Sequence, residues 1–501
     1  MNFKKRFYRR DMVRCLLCAD APCTAACPSM DPAALLRSVW FDNESGAAAA
    51  LGDVPVCSDC AAVCETACLR PGEVPIRRIL TGLHAEVRPA LENVPIGEAR
   101  LRTELCGVEL ENPFLLSSSV VASTYDMCAR AFDAGWAGAS FKTICAFDIH
   151  EASPRYAAIA GEGGALVGFK NIEQLSSHSV AEDMAIFREL KKNYPRKVIL
   201  ASIMGRDDTE WASLAGECER SGADAVELNF SCPNMSDEGL GSDIGQDPAL
   251  VERFTAAAKS GCSIPVLVKL TPNVASPVSA ALAAMRGGAD GISAINTIKS
   301  IVNVNLYTYV SAPAVRGMSA VGGYSGSAVK PIALRMIAEL GWEKALSRLH
   351  LSGIGGIETW RDAMEFILLG CSSVQVTTAV MQYGYRIIDD LKSGMARYLA
   401  EGGFSDISEI RGAALSSVSA STNALERDTV IYPEYDRSLC VGCGRCVISC
   451  ADGGHQAVRL NDRRRPVLDP ARCVGCHLCA LVCPVGAVGT GGKRRAPVRK
   501  G

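Results

Sequence analysis

The C-terminal end of the chain carries two copies of the cysteine pattern C-x2-C-x2-C-x3-C. The two runs are Cys440, Cys443, Cys446 and Cys450, and then Cys473, Cys476, Cys479 and Cys483. In proteins with two 4Fe–4S clusters, three cysteines of such a run ligate one cluster and the fourth ligates the other. The spacing therefore predicts one cage of four ligands at Cys440, Cys443, Cys446 and Cys483, and a second at Cys473, Cys476, Cys479 and Cys450. A pair of zinc sites is the alternative, although zinc ligands usually come as two separated pairs.

Eight more cysteines lie near the N-terminus, in CLLCADAPCTAACP and CSDCAAVCETAC. Thiols kept free for metal indicate a reducing compartment, and we expect a cytoplasmic protein. The basic start, MNFKKRFYRRDMVR, is not followed by the apolar core of a signal peptide. The sequence contains no run of about 18 apolar residues, so we do not expect a membrane span. A net charge of −2 without a basic stripe argues against nucleic-acid binding. These eight cysteines are candidate ligands of iron–sulfur clusters, and the alternative is that they bind zinc and stabilise a helical domain.

The long middle of the chain alternates short β-type runs with helix-like stretches. The runs are FLLSSS (114–119), ASFKT (139–143), VILASIM (198–204), AVELNFS (225–231), VLVKLT (266–271), GISAINT (291–297), LHLSGIG (349–355) and SVQVTTA (373–379). Eight β-α units in one domain predict a TIM (β/α)8 barrel, an α/β fold. A doubly wound sheet is the alternative, but no GxGxxG follows an early strand, which also leaves no FAD- or NAD-binding domain.

Polar side chains and glycines cluster where the predicted strands end, which is the catalytic face of a TIM barrel. They are Ser118, Lys142, Asn229, Lys269, Asn296, Gly355, Gly356, Thr377 and Thr378. Two lysines at strand ends are costly in a purely structural core unless they are paired or face a ligand. The loops SGIGGIE (352–358) and GGYSG (322–326) are suited to a phosphate, and with the lysines they favour FMN.

The chain resembles the dihydropyrimidine dehydrogenase family, within the dihydroorotate dehydrogenase superfamily, over nearly its whole length. The motifs NPFLLSSS, FKTI, ELNFSCPN, GQDPALV, KLTPN, NTIKSI, GGYSGSAVKPIALR and GIGG are similar to the family's FMN barrel, and NTIKSI and GGYSGSAVKPIALR are most similar to the bacterial catalytic subunit. The N-terminal block resembles the helical iron–sulfur domain of the same family and of the small subunit of glutamate synthase.

This resemblance implies four 4Fe–4S clusters, two of them in the N-terminal domain. Cys15, Cys18, Cys23 and Cys68 would hold the first N-terminal cluster, and Cys27, Cys60 and Cys64 the second. In the family, a Gln or Glu just downstream can supply the remaining ligand. Here the stretch EVPIRRILTGLHAE (73–86) contains no Gln, and His84, Glu86 or the spare Cys57 could take that place.

The resemblance also assigns the site residues. Asn171, Glu173, Asn229, Ser231, Asn296 and Thr297 would line a pyrimidine pocket, and Ser118, Lys142, Lys269, Gly326, Gly355, Gly356, Thr377 and Thr378 would hold FMN. An Asn amide offers one donor and one acceptor, which suits the alternating groups of a pyrimidine-2,4-dione. Cys232 is the expected catalytic acid, since a thiol with a pKa of about 8.5 is protonated at pH 7. Cys128, Cys218, Cys262 and Cys371 are expected to be structural.

The sequence thus predicts a helical iron–sulfur domain (1–95), an FMN barrel (96–425) and an α+β two-cluster ferredoxin domain (426–501). The expected reaction is the reversible reduction of uracil or thymine, with electrons from a separate FAD/NAD(P)H subunit or a ferredoxin. Family members pair as dimers, so a homodimer is expected. One alternative is the oxidation of dihydroorotate or of another cyclic amide or purine-type heterocycle. An orotate site needs a cation for the substrate carboxylate, and Lys299 is the nearest candidate in the sequence. A second alternative is that the chain is an electron-transfer subunit of a larger redox complex. The stretch 300–322 is either a lid or a surface excursion.

Overall fold

The structure is a computed structural model, and it describes residues 11–52, 57, 60–87, 98–161, 166–235 and 240–495. Among the described residues, those up to Val418 form one compact unit and those from Ser419 onward form a second. The predicted helical segment and the predicted barrel both belong to the first unit, so the division at residue 95 remains a prediction about sequence modules. Among the described residues, no helix is long and apolar enough to cross a membrane.

Short helices make up the N-terminal part of the first unit. They are α1 (Pro22–Ala26), α2 (Pro32–Trp40), α3 (Glu44–Leu51), α4 (Val63–Ala67) and α5 (Ile76–Glu86). The side chain of Asp31 caps α2 and that of Asn43 caps α3, each by accepting a hydrogen bond from a backbone N–H in the first turn. Leu36, Ile79 and Leu83 are buried between the helices in a small apolar core. Cysteine residues border this core, so the helices hold the thiols in place.

Fourteen strands of the first unit follow in the described part of the chain. They are β1 (Thr103–Leu105), β2 (Val108–Leu110), β3 (Phe114–Leu116), β4 (Gly138–Ser140), β5 (Tyr156–Ala160), β6 (Leu166–Asn171), β7 (Val198–Ile203), β8 (Ala225–Asn229), β9 (Val266–Lys269), β10 (Gly291–Ala294), β11 (Ile298–Ser300), β12 (Gly322–Ser325), β13 (His350–Ile354) and β14 (Ser373–Val376). Eight of them close a parallel barrel in the order β10-β13-β14-β3-β4-β7-β8-β9. These eight are the predicted runs, so the TIM-barrel prediction is confirmed. The doubly wound alternative is wrong.

The barrel strands are buried on nearly every residue, because helices cover them on the outside and side chains fill them inside. The helices are α6 (Tyr125–Ala134), α7 (Val180–Asn193), α8 (Asp208–Arg220), α9 (Pro248–Gly261), α10 (Val278–Arg286), α11 (Lys330–Trp342), α12 (Trp360–Leu368), α13 (Thr378–Tyr383) and α14 (Ile388–Glu401). Ser179 and Glu182 form a capping box on α7, which starts the helix at a defined residue.

A four-stranded antiparallel sheet is inserted into the barrel sequence, in the order β11-β12-β6-β5. The sequence did not predict this sheet. The loop between β11 and β12 is the stretch expected to be a lid or an excursion. The ammonium of Lys170 on β6 is buried and donates to the carbonyls of Ala312 and Ala320 in that loop. The loop is therefore tied down at its C-terminal limb, while Leu306 and Tyr307 at its tip are exposed.

The second unit is a small α+β domain. It contains β15 (Val430–Tyr435), α15 (Arg445–Gly453), β16 (Val458–Leu460), β17 (Pro466–Leu468), α16 (Leu478–Leu481) and β18 (Val488–Arg495). β15 pairs with β18 and β16 with β17, both antiparallel. Each helix begins within a cysteine run, at the third cysteine or next to it, as the predicted ferredoxin architecture requires.

Candidate active site and cysteine cages

One pocket lies at the carboxyl ends of the barrel strands. Of the residues predicted to bind substrate or FMN or to act as the acid, all but Ser231 line it: Ser118, Lys142, Asn171, Glu173, Asn229, Cys232, Lys269, Asn296, Thr297, Gly326, Gly355, Gly356, Thr377 and Thr378. The strand-end positions converge because parallel strands of a barrel end at the same face. Ser231 is fully buried behind this lining.

Buried hydroxyl groups hold two of the pocket asparagines. The amide of Asn229 donates to Thr143 Oγ1 at 2.9 Å, and its carbonyl accepts from Ser231 Oγ at 2.8 Å. The amide of Asn296 in turn donates to the same Ser231 Oγ at 2.9 Å. Ser231 therefore orients both asparagines without facing the pocket itself, which corrects the expectation that it lines the pocket.

The third predicted asparagine, Asn171, ends β6 of the inserted sheet. Its side-chain carbonyl accepts from the amide of Asn234 at 3.0 Å, and Asn234 also donates to the backbone carbonyl of Glu173 at 2.8 Å. Asn234 lines the pocket too, and the sequence-based reading did not single it out. The signal was present, because Asn234 closes the motif NFSCPN two residues after Cys232.

A cluster of charged side chains surrounds Glu173. Its carboxylate accepts from Lys142 Nζ at 2.8 Å, from Arg155 Nη1 at 3.4 Å and from the Tyr156 hydroxyl at 2.8 Å. Burial and then the Glu173 carboxylate raise the pKa of Tyr156, so the phenol stays a proton donor. Burial likewise raises the pKa of the neighbouring Glu151, which lies 3.7 Å from Lys142. Tyr156, Arg155 and Glu151 were not predicted, because no motif marks them.

The second pocket lysine is paired inside the barrel. Lys269 Nζ lies 3.3 Å from Glu227 Oε1, and both side chains are buried. Burial alone would raise the pKa of Glu227, but Lys269 and a hydrogen bond from Gln375 hold that pKa below its usual value. Ser140 also donates to this carboxylate at 2.9 Å. Each pocket lysine is thus both paired and facing the pocket, which explains how the barrel accommodates the buried ammonium group of Lys269 and the partly buried one of Lys142.

Cys232 lies in the loop that follows β8 and lines the pocket while remaining buried. Burial raises the pKa of its thiol to about 11, against a hydrogen bond from the backbone of Asn234 that lowers it. The thiol therefore carries its proton at neutral pH. A protonated, buried group at the pocket wall has the property that a general acid needs.

The glycine-rich end of the pocket has the form of a phosphate cradle. Gly355 and Gly356 have φ values of +124° and +74°, and a Cβ on Gly356 would lie 2.8 Å from the backbone nitrogen of Lys330. Only glycine therefore lets the backbone pass here. Thr377, Thr378 and the unpredicted Glu358 line the same end. Together with the two lysines that line the same pocket, this donor set fits FMN.

Lys299, the cation expected to serve an orotate carboxylate, is exposed on β11 and is not among the residues that line the pocket. Its backbone N–H donates to Asn273 Oδ1 at 2.9 Å. The cations at the pocket are instead Lys142 and Lys269, each with a carboxylate partner.

The cysteines of the second unit surround two cavities. The first is lined by Cys440, Cys443, Cys446 and Cys483, and the second by Cys450, Cys473, Cys476 and Cys479. Each set of four matches a predicted cage, including the exchange of the fourth cysteine between runs. Backbone N–H groups point at the sulfurs, for example from Ala487 to Cys483 Sγ at 3.2 Å and from Ala457 to Cys450 Sγ at 3.3 Å. Thiols with N–H donors around a cavity fit a 4Fe–4S cluster.

Cys15, Cys18, Cys23 and Cys68 line a third cavity, between the N-terminal helices. The remaining N-terminal thiols lie near one another. Burial, followed by the thiols of Cys27 and Cys57, raises the pKa of Cys64 to about 11, and burial with Cys60 and Cys27 raises that of Cys57. His84 lies in the last turn of α5, and the side chain of Glu86 is outside the described part of the structure.

The four cysteines expected to be structural lie away from the pocket lining and the cages. Cys128, Cys218 and Cys371 are buried in the barrel core, and Cys262 packs against that core. Burial raises the pKa of Cys128 to about 12. Such thiols are poor nucleophiles and poor metal ligands.

Known families match two parts of the chain. The family described as dihydroorotate dehydrogenase matches residues 100–399, and a family described as 4Fe-4S dicluster domain matches residues 434–489. The second match speaks against zinc in the C-terminal cages.

Similar proteins cover much of the same region. The NAD-dependent dihydropyrimidine dehydrogenase subunit PreA of Escherichia coli (strain K12) is 49% identical over 365 residues, 73% of this chain and 89% of that subunit. The chloroplastic dihydropyrimidine dehydrogenase (NADP(+)) of Arabidopsis thaliana is 36% identical over 66% of this chain and 80% of its own length. The dihydroorotate dehydrogenase B (NAD(+)) catalytic subunit of Pyrococcus horikoshii is 39% identical over 63% of this chain and 98% of its own.

Proposed function

The chain belongs to the dihydroorotate dehydrogenase family and is an oxidoreductase similar to the dihydropyrimidine dehydrogenases, and from that premise we propose its reaction. It reversibly reduces the C5=C6 bond of uracil or thymine to the 5,6-dihydropyrimidine. Electrons reach FMN through 4Fe–4S clusters. The observation that carries this proposal is a pocket lined by Cys232, three asparagines and two lysines, each lysine paired with a carboxylate.

The charge balance of the pocket favours a neutral imide over a carboxylate substrate. Orotate brings a negative charge that requires a free cation, but the ammonium of Lys142 is engaged by Glu173 and that of Lys269 by Glu227. Uracil and thymine are uncharged, and their only hydrogen-bonding groups are N–H and C=O. The amides of Asn171, Asn229 and Asn296 supply complementary acceptors and donors. Thr297 lines the pocket beside them.

Cys232 supplies the proton. Its thiol faces the pocket and is protonated at neutral pH because burial raises its pKa to about 11. In the direction of reduction, Sγ–H gives its proton to C5 of the ring. In the reverse direction, the thiolate takes that proton back. A buried proton donor of this kind contributes about 10²–10⁴-fold to the rate.

FMN, when bound, exchanges the hydride with C6 of the pyrimidine and takes up single electrons from iron–sulfur clusters. Ser118, Lys142 and Lys269 would hold its ring and ribityl chain, with Gly326, Gly355, Gly356, Thr377 and Thr378 around its phosphate. Positive charge from the lysines stabilises a ring that carries additional electrons.

Four clusters are proposed, two in each terminal region. The C-terminal pair uses the two cages of four cysteines described above. In the N-terminal region, Cys15, Cys18, Cys23 and Cys68 hold one cluster. For the other, Cys57 is proposed as the ligand that completes Cys27, Cys60 and Cys64, because its thiol lies beside theirs. That choice replaces the Gln or Glu of related proteins by a cysteine.

The reductant comes from outside this chain. A separate subunit that carries FAD and oxidises NAD(P)H is one donor, and a reduced ferredoxin is the other, since 4Fe–4S potentials span both. The name of the E. coli relative describes an NAD-dependent subunit, which agrees with the first. We expect a homodimer, and a reducing compartment such as the cytoplasm because the cages need free thiols.

The test uses the purified chain under anaerobic conditions with FMN and iron quantified. After chemical reduction, uracil, thymine or orotate is added and the flavin absorbance is followed. Reoxidation by uracil or thymine, and not by orotate, supports the proposal. Reoxidation by orotate alone would assign a dihydroorotate reaction. A flavin that no heterocycle reoxidises, in a chain that still passes electrons to an added acceptor, would make the barrel a relay.

A further inference from the structure

One segment joins the flavin pocket to the first N-terminal cage. It consists of α13 (Thr378–Tyr383) and the turn that ends at Arg386. Thr378 and Met381 line the pocket, and Thr378 Oγ1 is hydrogen-bonded to Ser325 Oγ at 2.9 Å. A helix of six residues is about 9 Å long. At the far end of α13, the Tyr383 ring packs edge-on against Phe41 of the N-terminal region, with ring centroids 5.2 Å apart.

Arg386 makes the contact with the cage itself. Its guanidinium donates from Nη2 to the carbonyl of Leu17 at 2.6 Å and from Nη1 to the carbonyl of Cys18 at 3.3 Å. Its Nε donates back to the carbonyl of Tyr383 at 3.2 Å. The same side chain therefore binds the end of α13 and the loop between two predicted cluster ligands.

Leu17 lies between two predicted cluster ligands, Cys15 and Cys18, and all three residues line the cavity of this cage. Leu17 has a φ of +50°, a region that a leucine rarely adopts, so its peptides hold an unusual orientation. Its carbonyl is directed to Arg386. Charge and hydrogen bonds near the sulfurs set the potential of a 4Fe–4S cluster.

We propose that the cage of Cys15, Cys18, Cys23 and Cys68 holds the cluster that passes electrons directly to FMN in the pocket, a role that we call the electron port. Arg386 positions this cage and raises the potential of its cluster. This inference rests on the proposed cluster and FMN. Each transfer oxidises the cluster by one electron and reduces the flavin by one. Two such transfers and two protons complete the reduction of FMN. The external donor, an NAD(P)H-oxidising flavoprotein or a ferredoxin, then reduces the cluster again.

The cationic guanidinium favours the reduced cluster, which carries one more negative charge. Replacing Arg386 by Ala removes that charge and both contacts to the cage loop. We therefore expect a more negative potential for this cluster alone. A more negative potential by itself makes the cluster a stronger reductant, so the about tenfold slower reduction of the flavin that we expect comes from the loss of the two hydrogen bonds that position the cage. Arg386→Lys keeps the charge and should restore most of the potential.

The experiment compares these variants with a control at the same interface. Arg37 also ties the N-terminal helices to the barrel, through Asp390 at 2.8 Å, and its hydrogen-bond partners are carboxylates, Asp389 and Asp390, instead of the carbonyls of the cage loop. In full-length chains loaded with iron and FMN, an EPR-monitored redox titration gives the cluster potentials. Flash photoreduction of the clusters then gives the rate of flavin reduction. The signal of the relevant cluster is the one that a Cys18→Ala variant lacks.

A lower potential and a slower flavin reduction in Arg386→Ala, with Arg37→Ala unchanged, support the electron port. Loss of about four iron atoms per chain in Arg386→Ala only, with FMN retained, also supports it, because the positioned cluster is then the one lost. Unchanged potentials and rate in Arg386→Ala would overturn it, as would equal effects in Arg37→Ala. The proposed reaction is tested separately, since chemically reduced Arg386→Ala must still be reoxidised by uracil if that reaction is right.

Discussion

The pocket has two halves of different origin. The barrel half, from strand ends such as Asn229, Lys269 and Asn296, is fixed by buried hydroxyls and a buried ion pair. The inserted half, which carries Asn171, Glu173 and Tyr156, is fixed by a half-buried network of charges and amides. From this difference we expect a division of labour. In the proposed reaction, the barrel half would supply the chemistry and contribute most to folding, and the inserted half would select the substrate.

The largest effect on activity is expected in the barrel half, at Cys232. Replacing it by Ala removes the proton donor, so pyrimidine turnover should fall by about 10²–10⁴-fold, while FMN and iron remain bound. Steady-state kinetics and cofactor content measure both. Because the thiol is the acid, the wild-type rate of reduction should fall as pH rises towards about 11, where the thiol loses its proton.

The matched control is Cys262→Ala, a cysteine at the end of α9 that lies outside the pocket lining. It should keep wild-type turnover. Full activity in Cys232→Ala would remove Cys232 from the mechanism and, with it, the idea that the barrel half supplies the chemistry.

The two lysines should separate the halves by stability. Lys269→Met leaves the carboxylate of Glu227 buried without its cation, and breaking such a pair costs about 3–5 kcal/mol of unfolding free energy. Lys142→Met should cost much less, because Glu173 keeps its hydrogen bonds from Arg155 and Tyr156. Denaturant unfolding of both FMN-free variants measures the difference. Equal losses would show that both halves contribute alike to folding.

How far the sequence predicted the molecule follows the same division. All eight barrel strands were identified, because each is a short apolar run that ends in a polar residue or glycine and the β-α alternation is regular. The inserted sheet was not. Its strands include YAAIA (156–160), which lacks period-two alternation, and GGYS (322–325), whose glycines indicated a phosphate loop rather than β12.

The site shows the same limit. Residues at strand ends were placed in one pocket, since topology alone brings them together, and the cysteine spacing gave sets of four that each surround a cavity. The roles of Tyr156 and Arg155 could not be predicted from the sequence, because they depend on contacts with Glu173 in the inserted sheet. The role of Arg386 could not be predicted either, because its partners Leu17 and Cys18 lie far away in the sequence.

A smaller effect is expected from Tyr156, which probes the inserted half directly. Tyr156→Phe removes one hydrogen bond to the Glu173 carboxylate but keeps the ring, so the carboxylate is less well oriented. We expect the KM for uracil to rise by about tenfold, the loss of one hydrogen bond to a charged group, with little change in kcat. Initial-rate kinetics decide this. A variant that loses kcat at constant KM would place Tyr156 in the chemistry and break the proposed division of labour.

The smallest effect lies at the phosphate end, where the barrel half presents an acid. Burial and the nearby Asp362 raise the pKa of Glu358 to about 7, against Ser327 and Lys330, which lower it. Below that pH the carboxyl group is neutral, and above it the group adds a negative charge beside the FMN phosphate. FMN affinity should therefore fall by about tenfold or less, as one charge interaction allows, between pH 6 and 8. Fluorescence titration of the apoprotein measures the affinity. Glu358→Gln cannot ionise and isolates this step from the ionisation of the phosphate itself, so an identical pH dependence in that variant would assign the effect to FMN alone.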